Sequence, residues 1–88
     1  MKIKTGFEIK KVSDKYIVVP NLEQSINFNG IISLNSSAKL LFEALNEEQT
    51  IESLTNILFN TYDIDVKKAE EDVLKFLKIL KENNLLDE

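Results

Sequence analysis

The chain has 88 residues, 43% of them hydrophobic, and it contains neither cysteine nor histidine. This length supports one domain with a single core, which buries about 60 to 65% of the unfolded surface. Without cysteine and histidine the chain has no disulfide, thiolate nucleophile, imidazole base or zinc site of the usual kind. No apolar stretch suits a signal peptide or a membrane span, so no membrane partner is predicted and the cytoplasm is the expected location.

The net charge of −4 is divided unevenly along the chain. Residues 1–34 carry five lysines and three acidic residues, a net charge of +2, whereas residues 35–88 carry six lysines and twelve acidic residues, a net charge of −6. A nucleic-acid-binding protein neutralises phosphates with a basic surface. The chain also has no arginine that could read a guanine edge. The sequence therefore argues against a nucleic-acid partner.

The first third of the chain predicts strands. Residues 7–10 alternate apolar and polar side chains, and residues 16–19 are rich in aromatic and β-branched side chains. With a turn at residues 13–15, the two segments predict a hairpin. Pro20 lacks a backbone donor, so the second strand should end there or lie where no partner needs that donor. Residues 21–25 are predicted to form a loop.

Residues 26–35 allow two interpretations. Asn29 and Gly30 between apolar residues are typical of a two-residue turn, which would pair residues 25–28 with residues 31–34. Alternatively, the segment is one strand in which Gly30 marks a bulge or the close approach of another backbone. If residues 31–34 form the last strand of a three-stranded sheet, they could be an edge to which another chain can be added.

After Asn35 the hydrophobic period changes from two residues to about 3.6, which predicts three helices. Each begins after a residue whose side chain can cap a first-turn amide: Asn35 or Ser36, then Thr50, then Asp65. The third helix should end near residues 83–84, since asparagine tolerates the left-handed conformation of a helix terminus. The apolar faces are Ala38, Leu41, Phe42 and Leu45; then Ile51, Leu54, Ile57, Leu58 and Tyr62; then Val66, Ala69, Val73, Phe76, Leu77 and Leu80.

Three strands followed by three helices with short connections predict an α+β domain. The antiparallel sheet would precede a winged-helix-like trio, and Leu85 and Leu86 are expected to fold back onto the last helical turn. A single domain is expected over residues 1–88.

The acidic clusters do not predict an enzyme or a metal site. A calcium loop that began at Asp63 would need glycine and glutamate where the chain has Lys68 and Leu74. No pair of carboxylates lies on an apolar background that would separate their pKa values. The acidic residues of the third helix instead have the spacing of exposed i,i+4 pairs. These pairs are Lys67–Glu71, Lys68–Asp72 and Glu71–Lys75.

The third predicted helix has more apolar residues than a surface helix needs. At about 100° per residue, Leu74 lies to one side of the main stripe and Ile79 lies to the other. One explanation is that the helix contacts both the sheet and the other helices. The alternative is that one of its flanks forms the wall of an apolar groove.

Three segments resemble the PqqD-like proteins, also called RiPP precursor peptide recognition elements. They are FNGIISLNSSAKLLFEAL at residues 28–45, TIESLTNILFNTYDID at residues 50–65 and EEDVLKFLKILKENNLL at residues 70–86. The resemblance extends over roughly residues 7–86, in the family's order and spacing. The chain departs from the family pattern at residues 46–49, where many members have a glycine turn.

The resemblance implies three antiparallel strands packed on a winged-helix-like trio. It also implies a function without chemistry and without a cofactor: binding the leader segment of a ribosomally made precursor peptide as an added strand. Such proteins present the core segment to a modifying enzyme, often a radical S-adenosylmethionine enzyme. The family pattern places Gly30 at the entrance to the third strand, which favours a bend or bulge over a separate hairpin.

Transferred to this chain, the resemblance implies a peptide-binding site on the third strand and the third helix. The strand residues would be Gly30, Ile31, Ile32, Ser33 and Leu34; the helical wall would be Val73, Leu74, Leu77 and Lys78; and Lys67 and Lys81 could attract leader carboxylates. Two other functions compete, an adaptor that binds only a maturase enzyme and a winged-helix DNA-binding domain. The exposed edge could also pair with itself in a homodimer.

Overall fold

The computed structural model describes residues 1–26 and 31–87. Its strands are β1 (Lys2–Ile3), β2 (Phe7–Val12), β3 (Lys15–Pro20), β4 (Ile32–Leu34) and β5 (Leu86–Asp87), and its helices are α1 (Leu22–Ser25), α2 (Ser36–Ala44), α3 (Ile51–Thr61) and α4 (Val66–Glu82). One antiparallel sheet has the order β2-β3-β4, and β1 pairs with β5 in a second. The predicted α+β class with a three-stranded sheet is confirmed. The expected turn or bulge at Asn29 and Gly30 lies outside the described residues.

The hairpin of β2 and β3 forms where the alternating pattern predicts it. Phe7 lies opposite Pro20, and Val12 lies opposite Lys15 at the turn. Ser13 has a φ of 60°, the left-handed conformation that reverses the chain between the two strands. Pro20 is the last residue of β3, as expected for a residue without a backbone donor.

β4 lies at the edge of the larger sheet, as the sequence analysis anticipated. Ile32 lies opposite Val18 of β3, and Leu34 lies opposite Tyr16. Ile32 and Leu34 are buried, whereas Ser33 between them is exposed. A slip of one residue would move both apolar side chains to the solvent face, so burial fixes the register of this short strand.

All three predicted helix caps are present. The Asn35 side chain accepts a hydrogen bond from the Ala38 amide at 2.9 Å, so Asn35 rather than Ser36 caps α2. Thr50 and Ser53 form a reciprocal capping box at the start of α3, and Asp65 accepts from the amide three residues later at 2.8 Å. Each cap satisfies an amide that has no partner within its helix, which is why the three starts could be located from sequence.

The chain after α4 returns to the core. Asn84 has a φ of 62°, and the Leu85 amide donates to the Leu80 carbonyl at 2.9 Å. Leu86 then lies opposite Ile3 in the pairing of β5 with β1. The return of Leu85 and Leu86 agrees with the prediction from sequence, whereas this second sheet was not predicted. Two-residue strands are too short to show an alternating pattern.

A short helix, α1, replaces the loop predicted at residues 21–25. Asn21 caps it by accepting from the Gln24 amide at 2.9 Å, and the Asn21 amide donates to the Gly6 carbonyl at 2.7 Å. Gly6 has a φ of 99°, and a Cβ there would lie 2.7 Å from Gln24 Cγ. The prediction of a loop was wrong. The helix has four residues and no buried side chain, so it has no hydrophobic period from which it could be predicted.

The core lies between the larger sheet and the three longer helices. Its buried apolar residues are Ile3, Val18, Ile32, Leu34, Leu41, Phe42, Leu45, Leu54, Leu58, Ala69, Val73, Phe76, Leu77, Leu80, Leu85 and Leu86. Ile51 and Val66 were expected on buried faces, but they are 42% and 53% exposed. Each is the first residue of its helix, where the neighbouring elements cover less of the surface. Within the described part of the chain, no helix is long and apolar enough to span a membrane.

Candidate functional site

The outer edge of β4 offers backbone groups that are available to a further strand. Among the described residues, β3 pairs with one edge of β4 and no strand pairs with the other. In an antiparallel ladder the amides and carbonyls of alternate residues point to the same side, so some of those in β4 point away from β3. They can bond to an added strand without any change in the fold.

An open groove of about 380 Å³ runs beside this edge, between β4, the start of α2 and one flank of α4. We call it the β4 groove. It is lined by Ser33, Leu34, Asn35, Ser37, Ala38, Leu41, Leu58, Lys68, Asp72, Lys75, Phe76 and Ile79. Phe76 is 5% exposed and belongs to the core, whereas Ile79 is 46% exposed. The groove therefore combines buried apolar side chains, an exposed aliphatic side chain and strand backbone.

The α4 residues of the β4 groove span a distance that suits a short peptide. From Lys68 to Ile79 the helix rises about 17 Å, at about 1.5 Å per residue. A strand of about five residues covers the same distance, at about 3.3 to 3.4 Å per residue. A peptide strand parallel to this stretch of α4 would therefore bring about five residues to the groove.

The charges of the β4 groove are partly neutralised within the groove itself. Lys68 Nζ donates to Asp72 Oδ1 at 2.9 Å, and this hydrogen bond raises the pKa of Lys68 above its ordinary value. Of the three i,i+4 pairs expected on this helix, this is the one that lies within 4 Å among the described residues. Lys75 also lines the groove, but no described carboxylate lies within 4 Å of its Nζ atom.

The four described strand residues of the predicted site lie together on or beside β4. Ile32 and Leu34 point into the core and Ser33 points outward, while Ile31 precedes the strand and is 80% exposed. Ser33 and Leu34 line the β4 groove directly. The fifth residue, Gly30, lies outside the described residues.

The predicted helical wall lies elsewhere. Leu74, Leu77, Lys78 and Lys81 line a second depression of about 380 Å³ with Met1, Ile51 and Glu82, and we call it the α3–α4 depression. Val73 is fully buried in the core, and Lys67 is exposed and lines neither surface. The structure thus separates the predicted helix residues from the predicted strand residues instead of joining them in one groove.

Five α4 residues that line the β4 groove are not among those predicted from the sequence. They are Lys68, Asp72, Lys75, Phe76 and Ile79. One signal for them was present, since Ile79 is the apolar residue on the flank opposite Leu74. Periodicity shows that a helix has two flanks, but it does not show which flank lies beside the sheet.

The β4 groove is suited to binding. Its polar side chains hydrogen-bond locally, as where Ser37 Oγ donates to Asn35 Oδ1 at 2.9 Å. No group of three or more acidic side chains within residues 1–26 and 31–87 is placed to hold a metal ion. What the groove offers a ligand is backbone hydrogen bonding along β4, apolar contact with Ile79 and the charge of Lys75.

Comparison with known proteins gives one family and two similar structures. The family model of coenzyme PQQ synthesis protein D (PqqD) matches residues 16–86, and the comparison with curated proteins gives no match. The structure of TbiB1 in complex with the TbiA(beta) leader peptide is similar with a TM-score of 0.74 and 20% identity, over 99% of this chain and 95% of that chain. Lasso peptide synthetase B1 complexed with the leader peptide has a TM-score of 0.70 and 17% identity, over 96% of this chain and 93% of that chain.

The two levels of similarity support different conclusions. At 20% and 17% identity, the similar structures establish the fold. The family model extends from β3 to β5 and so includes β4, α4 and the groove between them. The chain belongs to the PqqD family.

Proposed function

We propose that this protein binds the leader segment of a ribosomally synthesised precursor peptide as a strand added to β4. The observation that carries the proposal is the open edge of β4 beside an apolar groove on α4. Strand addition draws affinity from main-chain hydrogen bonds and specificity from alternate side chains. Membership of the PqqD family supports the proposal, as do the leader peptides bound by the two proteins of similar fold.

In this proposal the protein performs no chemistry. It holds the leader while the core segment reaches a peptide-modifying enzyme, for which a radical S-adenosylmethionine enzyme is our first candidate. Because the precursor is made on ribosomes, we place this binding step in the cytoplasm. The leader contacts we assign on the strand are Ile31, Ser33 and Leu34, with backbone atoms as the main donors and acceptors.

The expected affinity is micromolar. Each new strand hydrogen bond contributes a net free energy of about 0.5 to 1.5 kcal/mol, and each apolar anchor contributes about 1.5 to 3 kcal/mol when it is fully buried. Ordering a flexible leader costs about 2 to 5 kcal/mol of this gain. If a few such bonds and one or two such anchors leave a net binding free energy of about −8 kcal/mol, the dissociation constant is micromolar.

The test is an amide NMR titration with the synthetic leader half of any short peptide encoded beside this chain. We expect saturable shifts at residues 31–35 and at the α4 residues of the β4 groove. Shifts centred on Leu74 and Lys78 would instead assign the leader to the α3–α4 depression. If no shift occurs well above micromolar concentration, leader binding is rejected, and a titration with the modifying enzyme tests the adaptor function.

A second copy of the chain could occupy the same edge. Sedimentation analysis across the concentrations of the titration separates the two cases, because a homodimer through β4 dissociates on dilution. We expect a monomer that remains monomeric when leader is bound. A dimer that the leader dissociates would also place the leader on β4, whereas a dimer that the leader leaves intact would contradict that position.

A substitution in β4 is a weaker test than a change in the peptide. Ile32 is 6% exposed and packs in the core, so Ile32→Pro would disturb the fold as well as the edge. Chemical changes in the leader backbone leave the protein intact.

A further inference from the structure

The β4 groove contains one positive charge that the described residues do not neutralise. Lys68 is paired with Asp72, whereas Lys75 has no described carboxylate within 4 Å. The Lys68–Asp72 pair and Lys75 together give the α4 side of the groove a net charge of +1. A ligand with a carboxylate near Lys75 would complete the charge balance of the groove.

An apolar contact lies one helical turn from this charge. Ile79 is 46% exposed at the same flank, and Phe76 lies beneath it in the core. Lys75 and Ile79 are separated by about 6 Å along the helix axis. Alternate residues of a strand, which point to the same side, are separated by about 6.7 Å.

We propose that the β4 groove selects peptide segments in which an aliphatic or aromatic residue and an acidic residue stand two positions apart. The apolar side chain packs against Ile79 and Phe76, and the carboxylate pairs with Lys75. This inference rests on the proposed function, because the period of two exists only if the peptide binds as a strand. It adds the chemical class of the leader segment that the groove accepts.

The first experiment selects peptides from a random displayed library on the intact protein, without assuming a leader. We expect captured sequences to be enriched in aspartate or glutamate two positions from an aliphatic or aromatic residue. On Lys75→Glu the enriched charged residue should change to lysine or arginine. On the matched control Lys78→Glu, which alters an exposed lysine in the α3–α4 depression, the wild-type preference should remain.

The second experiment measures the charge contact directly. Synthetic copies of one captured peptide carry glutamate, glutamine or lysine at the acidic position, and fluorescence anisotropy gives their dissociation constants. The glutamate peptide should bind wild type about three- to fivefold more tightly than the glutamine peptide at low salt, as is typical of an exposed ion pair. The difference should shrink at 0.3 M NaCl, and Lys75→Glu should reverse the order of the glutamate and lysine peptides.

The outcomes separate this inference from the function on which it rests. Captured peptides without the acidic preference, or a preference that Lys75→Glu leaves unchanged, overturn the inference while peptide binding stands. A preference that changes with Lys78→Glu would show that the acidic residue contacts the other flank of α4, and it would also overturn the inference. No captured peptide at all, from a folded protein, overturns both proposals.

Discussion

The two flanks of α4 carry similar side chains but border different surroundings. The β4 groove and the α3–α4 depression each have a volume of about 380 Å³. Ile79 in the first is 46% exposed and Leu74 in the second is 45% exposed, and each surface has a lysine beside its aliphatic residue. The difference is the free backbone edge of β4, which lies beside the first flank.

The N-terminal segment contributes Met1 to the lining of the α3–α4 depression. The Met1 amine donates to the Gln49 carbonyl at 3.1 Å, and the Ile3 amide donates to the Leu45 carbonyl at 2.9 Å. These bonds fix β1 beside the helices and satisfy the backbone near the depression. Apolar side chains and lysines therefore do not by themselves locate a peptide-binding site. The unpaired strand edge distinguishes the two flanks.

The largest effect should come from changing the leader backbone. Replacing the peptide amides one at a time by N-methyl amides should lower affinity at least about tenfold at positions that donate to β4, since a hydrogen bond is lost and a methyl group blocks close approach. The intervening positions should change little, because their amides point away. Competition binding measures the affinity of each peptide in the series. Losses of affinity that do not alternate from one residue to the next would contradict strand addition.

Truncation of the two matched aliphatic residues should give the next largest effect. Ile79→Ala should weaken leader binding about fivefold, or about 1 kcal/mol, because the peptide covers a side chain that is half-exposed in the free protein. Leu74→Ala has the same chemistry and exposure on the other flank and should leave binding unchanged. Fluorescence anisotropy on both variants decides between the flanks. Equal losses of affinity would show that the leader does not bind to the Ile79 flank alone.

Removing the helix caps near the two surfaces should distinguish an effect on stability from an effect on leader binding. Asn35→Ala and Thr50→Ala each remove a cap and should lower the free energy of unfolding by about 1 kcal/mol. Asn35 lines the β4 groove, whereas Thr50 precedes Ile51 of the other depression. Urea unfolding should therefore show similar losses, while leader affinity should fall for Asn35→Ala alone. If Thr50→Ala lost leader affinity under conditions where it is fully folded, the assignment of the leader to the β4 groove would be contradicted.

The smallest effect should come from the ion pair at the β4 groove. The hydrogen bond from Lys68 to Asp72 raises the pKa of Lys68, so its contribution to stability is complete below the ordinary value of 10.5 and is lost as the pH rises through the higher folded value. Stability should not respond to this pair between pH 6 and 9. NMR titration of the Lys68 side chain should give a lower pKa in Asp72→Asn, and an unchanged pKa would show that the pair does not persist in solution.

Much of the local structure followed from sequence because its causes are local. The change of hydrophobic period after Asn35 located three helices, and the capping side chains located their starts at Asn35, Thr50 and Asp65. The alternation of residues 7–10 located the hairpin. The family resemblance added the prediction that residues 31–34 bind a peptide, and the structure places β4 at the edge of the sheet.

Other features depend on which parts of the chain meet in space. The pairing of β1 with β5 joins residues from the two ends of the chain, and neither two-residue strand carries a pattern of its own. The amphipathic pattern of α4 identified Leu74 and Ile79 as residues outside the main stripe, but it treated the two flanks alike. Packing of β4 and α2 beside the Ile79 flank made that flank the groove.

Local signals in the sequence were therefore enough to predict the order, type and caps of the main elements, together with the strand at the edge of the sheet. Which α4 side chains lie beside that edge followed only from tertiary packing. Hydrogen-bonded caps and hydrophobic periods act over three or four residues. The facing of a helix, by contrast, is set by the combined burial of side chains that are distant along the chain.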